Sequence, residues 1–176
     1  VVIMPLTAYL TKMWGTRSVY VAAAAGFIVT SILTGLSTSI EMMIVTRALQ
    51  GLTAGAMIPA VFATAMTVFP PEKRVMANVT VGLIVTLAPT IGPTLGGHLT
   101  EALNWRWLFF VNIPPGLLVM FLVGRYGDFD KGDPELAKGI DWFGLVTMTV
   151  FLLSMQYVFE EGSGEGWFED DLILWL

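Results

Sequence analysis

The sequence predicts an all-α fold, a polytopic bundle of transmembrane helices, on three grounds. Hydrophobic residues make up 55% of the chain and charged residues only 13%, whereas a soluble domain carries roughly 25% charged residues. The mean hydropathy is +0.73. A bilayer-spanning helix needs ~20 residues. Apolar stretches of this length recur along the chain, and the polar loops between them are short.

The apolar stretches define the predicted helices. Short loops force neighbouring helices to run antiparallel, so the stretches should form one bundle. Residues 1–10 are interpreted as the tail of a span and residues 172–176 as the start of another, so we expect the chain to be part of a larger protein. The complete predicted spans are residues 19–37, 42–69, 75–99, 107–124 and 142–159.

The basic residues set the predicted orientation. Nine lysines and arginines are present; Arg47 lies inside a span, and one set of alternate loops contains only Arg106. Cytoplasmic loops carry the excess of lysine and arginine, so the other set should face the cytoplasm and the chain should be a multi-pass membrane protein. That set holds Lys12, Arg17, Lys73, Arg74, Arg125, Lys131 and Lys138.

The composition argues against several classes of function. The net charge is −5 and no basic patch exists, so no nucleic-acid partner is expected. The chain has no cysteine, which excludes a thiolate metal site and a cysteine nucleophile. No Ser/His/Asp arrangement or metal-ligand spacing is present. We therefore expect no enzyme, no catalytic residue, no metal site and no cofactor.

Arg47 is the first candidate for chemistry. A charge inside a span is unfavourable by about 2.5–3.5 kcal/mol on insertion scales, and such residues mark polar cavities, substrate paths or proton relays. Gln50 lies about one helical turn further and can share that cavity. The alternative is that Arg47 extends to the nearby lipid headgroups. No Asp or Glu lies deep in a complete span, so an acidic partner is expected outside this chain.

Prolines and glycines form a second candidate, in the segment APTIGPTLGG at residues 88–97. Such residues break a soluble helix, but they are tolerated in a membrane helix. They give one helix face almost no side chain, which lets another helix come very close. We expect a moving contact there, with a static one as the alternative. The residues of this Pro/Gly face are Pro89, Gly92, Pro93, Gly96 and Gly97.

Two smaller features complete the candidates. Lys12, Gly15 and Arg17 form a compact basic turn between two spans, either a topology signal or a cytoplasmic latch between helices. His98, the only histidine, lies at a span end and is interpreted as an interfacial side chain rather than a proton relay.

Four motifs, in order along the chain, resemble those of major facilitator drug:proton antiporters. RALQG at residues 47–51 resembles the Arg-x-x-Gln-Gly motif of their fourth helix, and residues 88–97 are similar to the antiporter motif of their fifth. NWRWLFFVNIPPG at residues 104–116 resembles the start of the sixth helix in the fourteen-helix branch. IDWFG at residues 140–144 resembles the start of the additional central helix of that branch, the EmrB/QacA-type multidrug efflux permeases.

The resemblance implies a partial major facilitator fold with three parts. Residues 1–124 would run from the end of helix two through helix six of the N-terminal bundle. Residues 125–139 would be a cytoplasmic linker. Residues 140–176 would hold the additional central helix, an outer loop and the start of the next helix.

The resemblance also implies a function: proton-coupled export of drugs or other amphipathic small molecules across the bacterial cytoplasmic (inner) membrane. Arg47 would take part in proton coupling, and the Pro/Gly face would be a flexible contact that favours export. In the turn around Gly15, the family's Asp is replaced by Lys12 and an expected Gly by Ala8, so its charge relay does not carry over.

The implied partners are a lipophilic or cationic drug-like substrate, protons, the lipid bilayer and a periplasmic adaptor protein. Two alternatives stay open at this point. One is a facilitator that imports a metabolite, against which the fifth-helix motif argues. The other is a non-transporting membrane fragment or scaffold.

Overall fold

The computed structural model describes residues 3–127, 129, 132–133, 135 and 141–162, and these residues contain helices and no strand. Within these residues, five segments are long and apolar enough to cross a membrane, the fifth and sixth helices counting together as one of them. The all-α transmembrane bundle is therefore confirmed. The helices are α1 (Ile3–Trp14), α2 (Thr16–Gly35), α3 (Ile40–Val68), α4 (Pro71–Ala102), α5 (Trp107–Phe110), α6 (Ile113–Tyr126) and α7 (Trp142–Glu161).

Two predicted loops are wrong in extent. In the predicted polar loop at residues 12–17, only Gly15 lies outside a helix, because the cation of Lys12 is favourable in the last turn of α1. In the predicted loop at residues 70–74, Pro71 already begins α4, because proline suits a first helical position.

The predicted span at residues 107–124 is confirmed as the span-length segment Trp107–Tyr126, although two helices, α5 and α6, form it. The break precedes Pro114 and Pro115, which lack the N–H groups that would continue the hydrogen-bond ladder. The predicted start of another span at residues 172–176 lies outside the described residues.

The centre of the bundle is α2, which contacts α1, α3, α5 and α6. Its interfaces are close because small residues line them. A Cβ atom added at Gly26 would lie 2.7 Å from Thr53 Cγ2 on α3, and one added at Gly116 on α6 would lie 2.9 Å from Ile28 Cγ1. The buried apolar residues of the core are mostly alanines: Val19, Ala23, Ala24, Ile28, Ala56, Ala60 and Ala65.

Buried hydroxyl groups share this core with the alanines. Thr34 is 0% exposed, and its hydroxyl donates to the carbonyl of Thr30 in the same helix at 2.7 Å. Thr30 donates likewise to Gly26 O at 2.8 Å, and Thr46 to Met42 O at 2.9 Å. These bonds satisfy each hydroxyl within its own helix.

In contrast, α4 buries none of its residues. It contacts α3, where Asn78 Nδ2 lies 3.7 Å from Met66 Sδ, and it also contacts α5. The helix continues through Pro89 and Pro93, which confirms that this span accommodates both prolines.

Candidate functional site

Arg47 lies in the third turn of α3, seven residues after Ile40, where the helix begins. At 1.5 Å per residue this is about 10 Å along the helix axis. Its Nη1 donates to Oε1 of Gln50 at 2.9 Å. Gln50 lies almost one turn further along α3, so the guanidinium is hydrogen-bonded to a side chain of its own helix.

Gln50 connects Arg47 to the neighbouring helix α2. Its side chain is only 3% exposed, and its Nε2 donates to the Ser31 hydroxyl oxygen at 2.6 Å. Ser31 itself is 0% exposed. A chain of hydrogen bonds therefore runs from the cation on α3 through a buried amide to a buried hydroxyl on α2.

An aromatic side chain covers another side of Arg47. The Cζ atom lies 5.4 Å from the ring centroid of Phe109 on α5, within the range of a cation–π contact. Trp105 packs edge-on against Phe109, with centroids 6.1 Å apart and planes at 84°. The residue as a whole is still exposed, since no helix of the described part of the chain covers its remaining side.

A second arginine holds α5 in place beside Arg47. Arg106 Nη2 donates to the carbonyl of Ser37, just beyond the end of α2, at 3.0 Å. Its Cζ lies 4.5 Å from the ring centroid of Trp105. A cation is favourable at this position because the carbonyl end of a helix carries partial negative charge.

The Pro/Gly face lies on α4, which contacts α5. Its five residues fall within an arc of about 140° on a regular helix. Added Cβ atoms at Gly92 and Gly97 would meet nothing within 4 Å, and one at Gly96 would lie 3.4 Å from Leu108 Cδ2. Among the described residues the face is therefore almost bare. His98, close to it in sequence, is exposed.

The basic turn forms a tight joint at the opposite end of α2, the end that the basic residues predict to face the cytoplasm. Gly15 is buried and has φ 80° and ψ 145°, a conformation that is accessible essentially to glycine alone. Arg17 donates to the carbonyl of Gly124 on α6. The amide of Asp133 donates to the carbonyl of Lys12 at 2.9 Å, so the joint contacts both α6 and the segment that follows it.

Sequence reasoning identified Arg47 and Gln50 but not Ser31 or Phe109. Two features of the sequence pointed towards them. Ser31 belongs to a Thr-Ser pair within a mostly apolar predicted span, and Phe109 belongs to a run of aromatic residues beside Arg106, the only basic residue of the predicted outer loops. Neither signal specifies which side chain a residue on another helix will contact.

Comparisons with known proteins agree with this architecture. The family model described as Major Facilitator Superfamily matches residues 1–167. The colistin resistance protein EmrB of Acinetobacter baumannii is 36% identical over 170 residues, which is 97% of this chain and 33% of that protein. The fatty acid resistance protein FarB of Neisseria gonorrhoeae is 33% identical over 98% of this chain and 34% of its own length.

The multidrug export protein EmrB of Escherichia coli K12 is 30% identical over 98% of this chain and 34% of its own length. The chain therefore spans about a third of the length of the curated relatives it matches. These bacterial relatives and the five span-length helices make it a multi-pass chain of the cytoplasmic membrane. With the matching motifs in order, the chain belongs to the Major Facilitator Superfamily, a family of membrane transporters, and is similar to its EmrB-type drug exporters.

Proposed function

We propose that these residues are part of a proton-driven exporter of drugs or other amphipathic small molecules. The names of the relatives, which refer to multidrug export, colistin resistance and fatty acid resistance, favour export over import of a metabolite. They equally favour a transporter over a membrane scaffold. In this proposal the substrate is lipophilic or cationic, and the ion that drives export is the proton.

The observation that carries the proposal is the cation of Arg47 inside a membrane span. Arginine stays protonated at all physiological pH values, so it cannot itself be the proton carrier. Its uncovered side is available to an acidic side chain from a helix outside this chain. Protonation of that acid would weaken its pairing with Arg47, and a weakened pair can shift the balance between two access states.

The other candidate residues receive roles in the same proposal. The Pro/Gly face, from Pro89 to Gly97, would be the flexible contact between the two halves of the transporter. Lys12, Gly15 and Arg17 would act as the cytoplasmic latch. Residues 1–124 would belong to the N-terminal bundle, residues 125–139 to the linker, and residues 140–176 to the additional central segment. A periplasmic adaptor protein would be a further partner.

The test is dye transport by the complete transporter in inverted membrane vesicles. A pH gradient is imposed, a fluorescent cationic dye is added, and both dye uptake and loss of the gradient are measured. Arg47→Ala is compared with Arg125→Ala, a control that removes an exposed cation near the end of α6. Both variants are compared at equal membrane abundance.

We expect dye addition to dissipate the gradient with the unmodified protein and with Arg125→Ala, but not with Arg47→Ala. Loss of coupling should be nearly complete, because no other cation of the described residues lies within the middle of a span. A protein that dissipates no gradient with any of a broad panel of dyes and drugs would disprove the export proposal.

A further inference from the structure

We propose that Ser31 is a positioning residue for Arg47, which it holds in place through the amide of Gln50. The inference rests on the proposed function, because it assigns a part in proton coupling to a serine on a different helix. Its basis is the chain of two hydrogen bonds, from Arg47 Nη1 to Gln50 Oε1 at 2.9 Å and from Gln50 Nε2 to Ser31 Oγ at 2.6 Å.

The chemistry of the three groups fixes the orientation of the amide. A guanidinium has five N–H donors and no acceptor, whereas a glutamine amide has one oxygen acceptor and one NH₂ donor. Arg47 can therefore pair only with the oxygen of Gln50. The NH₂ group then points away from Arg47, towards α2, and it needs an acceptor there. The hydroxyl oxygen of Ser31 is that acceptor.

Burial makes this arrangement obligatory. Gln50 is 3% exposed and Ser31 is 0% exposed, so bulk water does not reach this pair in the native packing. Without the serine hydroxyl, the NH₂ group either stays unpaired, which is unfavourable in a buried site, or it rotates towards Arg47. Rotation would place the NH₂ donors of Gln50 against the N–H donors of Arg47. It would also remove the oxygen acceptor that holds the guanidinium.

The effect on Arg47 follows from the contacts that remain. Its other described contact is the ring of Phe109 at 5.4 Å, and a ring face restrains a cation less specifically than a hydrogen bond does. Loss of the Ser31 hydroxyl should therefore leave Arg47 present and charged but no longer fixed. Binding of the dye should be kept while its coupling to the proton gradient weakens.

The experiment compares Ser31→Ala with Thr34→Val in the complete transporter. Thr34 is a matched control, since it lies on the same helix, is equally buried, and bonds to the carbonyl of Thr30 in its own helix. Two activities are measured in vesicles at equal abundance: dye uptake driven by a pH gradient, and dye-for-dye exchange without a gradient. The ratio of the two activities separates coupling from general damage.

We expect Ser31→Ala to lower this ratio about fivefold, the factor expected for loss of one hydrogen bond. Thr34→Val should leave the ratio unchanged. If Ser31→Ala does not accumulate in the membrane, Ser31→Cys serves instead, because sulfur is only a weak acceptor and the same direction is expected.

A double substitution tests whether Ser31 acts through Gln50. Gln50→Leu alone should lower the ratio at least as much as Ser31→Ala, and adding Ser31→Ala to it should change nothing further, since coupled residues are not additive. Equal ratios for Ser31→Ala and Thr34→Val, or full additivity with Gln50→Leu, would overturn the inference and leave the export function intact. Absence of coupling in the unmodified protein would instead overturn the proposed function itself.

Discussion

The second and fourth helices, α2 and α4, are equally apolar but differ in how much of each is buried in the bundle. Both are as apolar as a membrane span requires, and their most apolar windows have the same mean hydropathy. Yet α2 buries 44% of that window inside the bundle, and α4 buries 0%. Composition alone tells only that both helices lie in a bilayer, since lipid and protein interiors are equally apolar.

The difference between them lies in the pattern of small and polar residues. In α2, the buried residues are mostly alanines and hydroxyl residues. In α4, proline and glycine form one bare face, which contacts little more than Leu108 among the described residues. We infer that α2 is the fixed centre of this part of the transporter and that α4 presents a contact surface to a further helix.

The largest expected effect is on transport, and it comes from filling the Pro/Gly face of α4. Gly92→Leu should reduce dye export by the complete transporter roughly tenfold or more, because a side chain there prevents close helix approach. Thr94→Leu, on the far side of the same helix, is the matched control and should retain export. Equal export by the two variants would mean that the face makes no close contact.

The next effect tests the packing of α2. Ala24 is 1% exposed, so Ala24→Leu should destabilise the transporter by about 1–3 kcal/mol through overpacking. Ala22→Leu, an exposed position on the same helix, should change stability by less than about 0.5 kcal/mol. Thermal unfolding in detergent measures both. A Leu at residue 24 that is tolerated as well as one at residue 22 would contradict the role of α2 as the packed centre.

The smallest effect concerns the joint before α2. Gly15→Ala should lower stability by about 1–2 kcal/mol, because an added Cβ strains a backbone with positive φ. Gly124→Ala is the control, since its Cβ would lie 3.8 Å from Val21 Cγ2, an ordinary contact. The same unfolding measurement applies. If Gly15→Ala unfolds at the unmodified temperature, the joint is not held in this conformation.

Much of the fold could be predicted from the sequence because apolar length is a strong signal. The complete spans fall close to the observed helices, and the family motifs gave the correct family. The errors lie at the loops, where single residues decide: Gly15 alone separates α1 from α2, and Pro114 and Pro115 follow the break between α5 and α6. Loop polarity does not predict such short joints, because charged residues also end helices.

The candidate site was only half predictable. Arg47 was found because a charge in an apolar span is costly, and Gln50 because it is one turn away on the same helix. Ser31 and Phe109 come from other helices, at positions that depend on how α2, α3 and α5 cross. A single sequence does not show how these helices cross. The contacts of Ser31 with Gln50 and of Phe109 with Arg47 were therefore found only in the structure.

The hydroxyl bonds within each helix bear on how the protein is made. Because Thr30, Thr34 and Thr46 are satisfied by carbonyls of their own helices, these three hydroxyls stay paired while α2 and α3 leave the translocation machinery one at a time. Gln50 is different, since its amide needs Ser31 from the helix inserted before it. The order of synthesis supplies this partner first, so the polar contact can form as soon as α3 arrives.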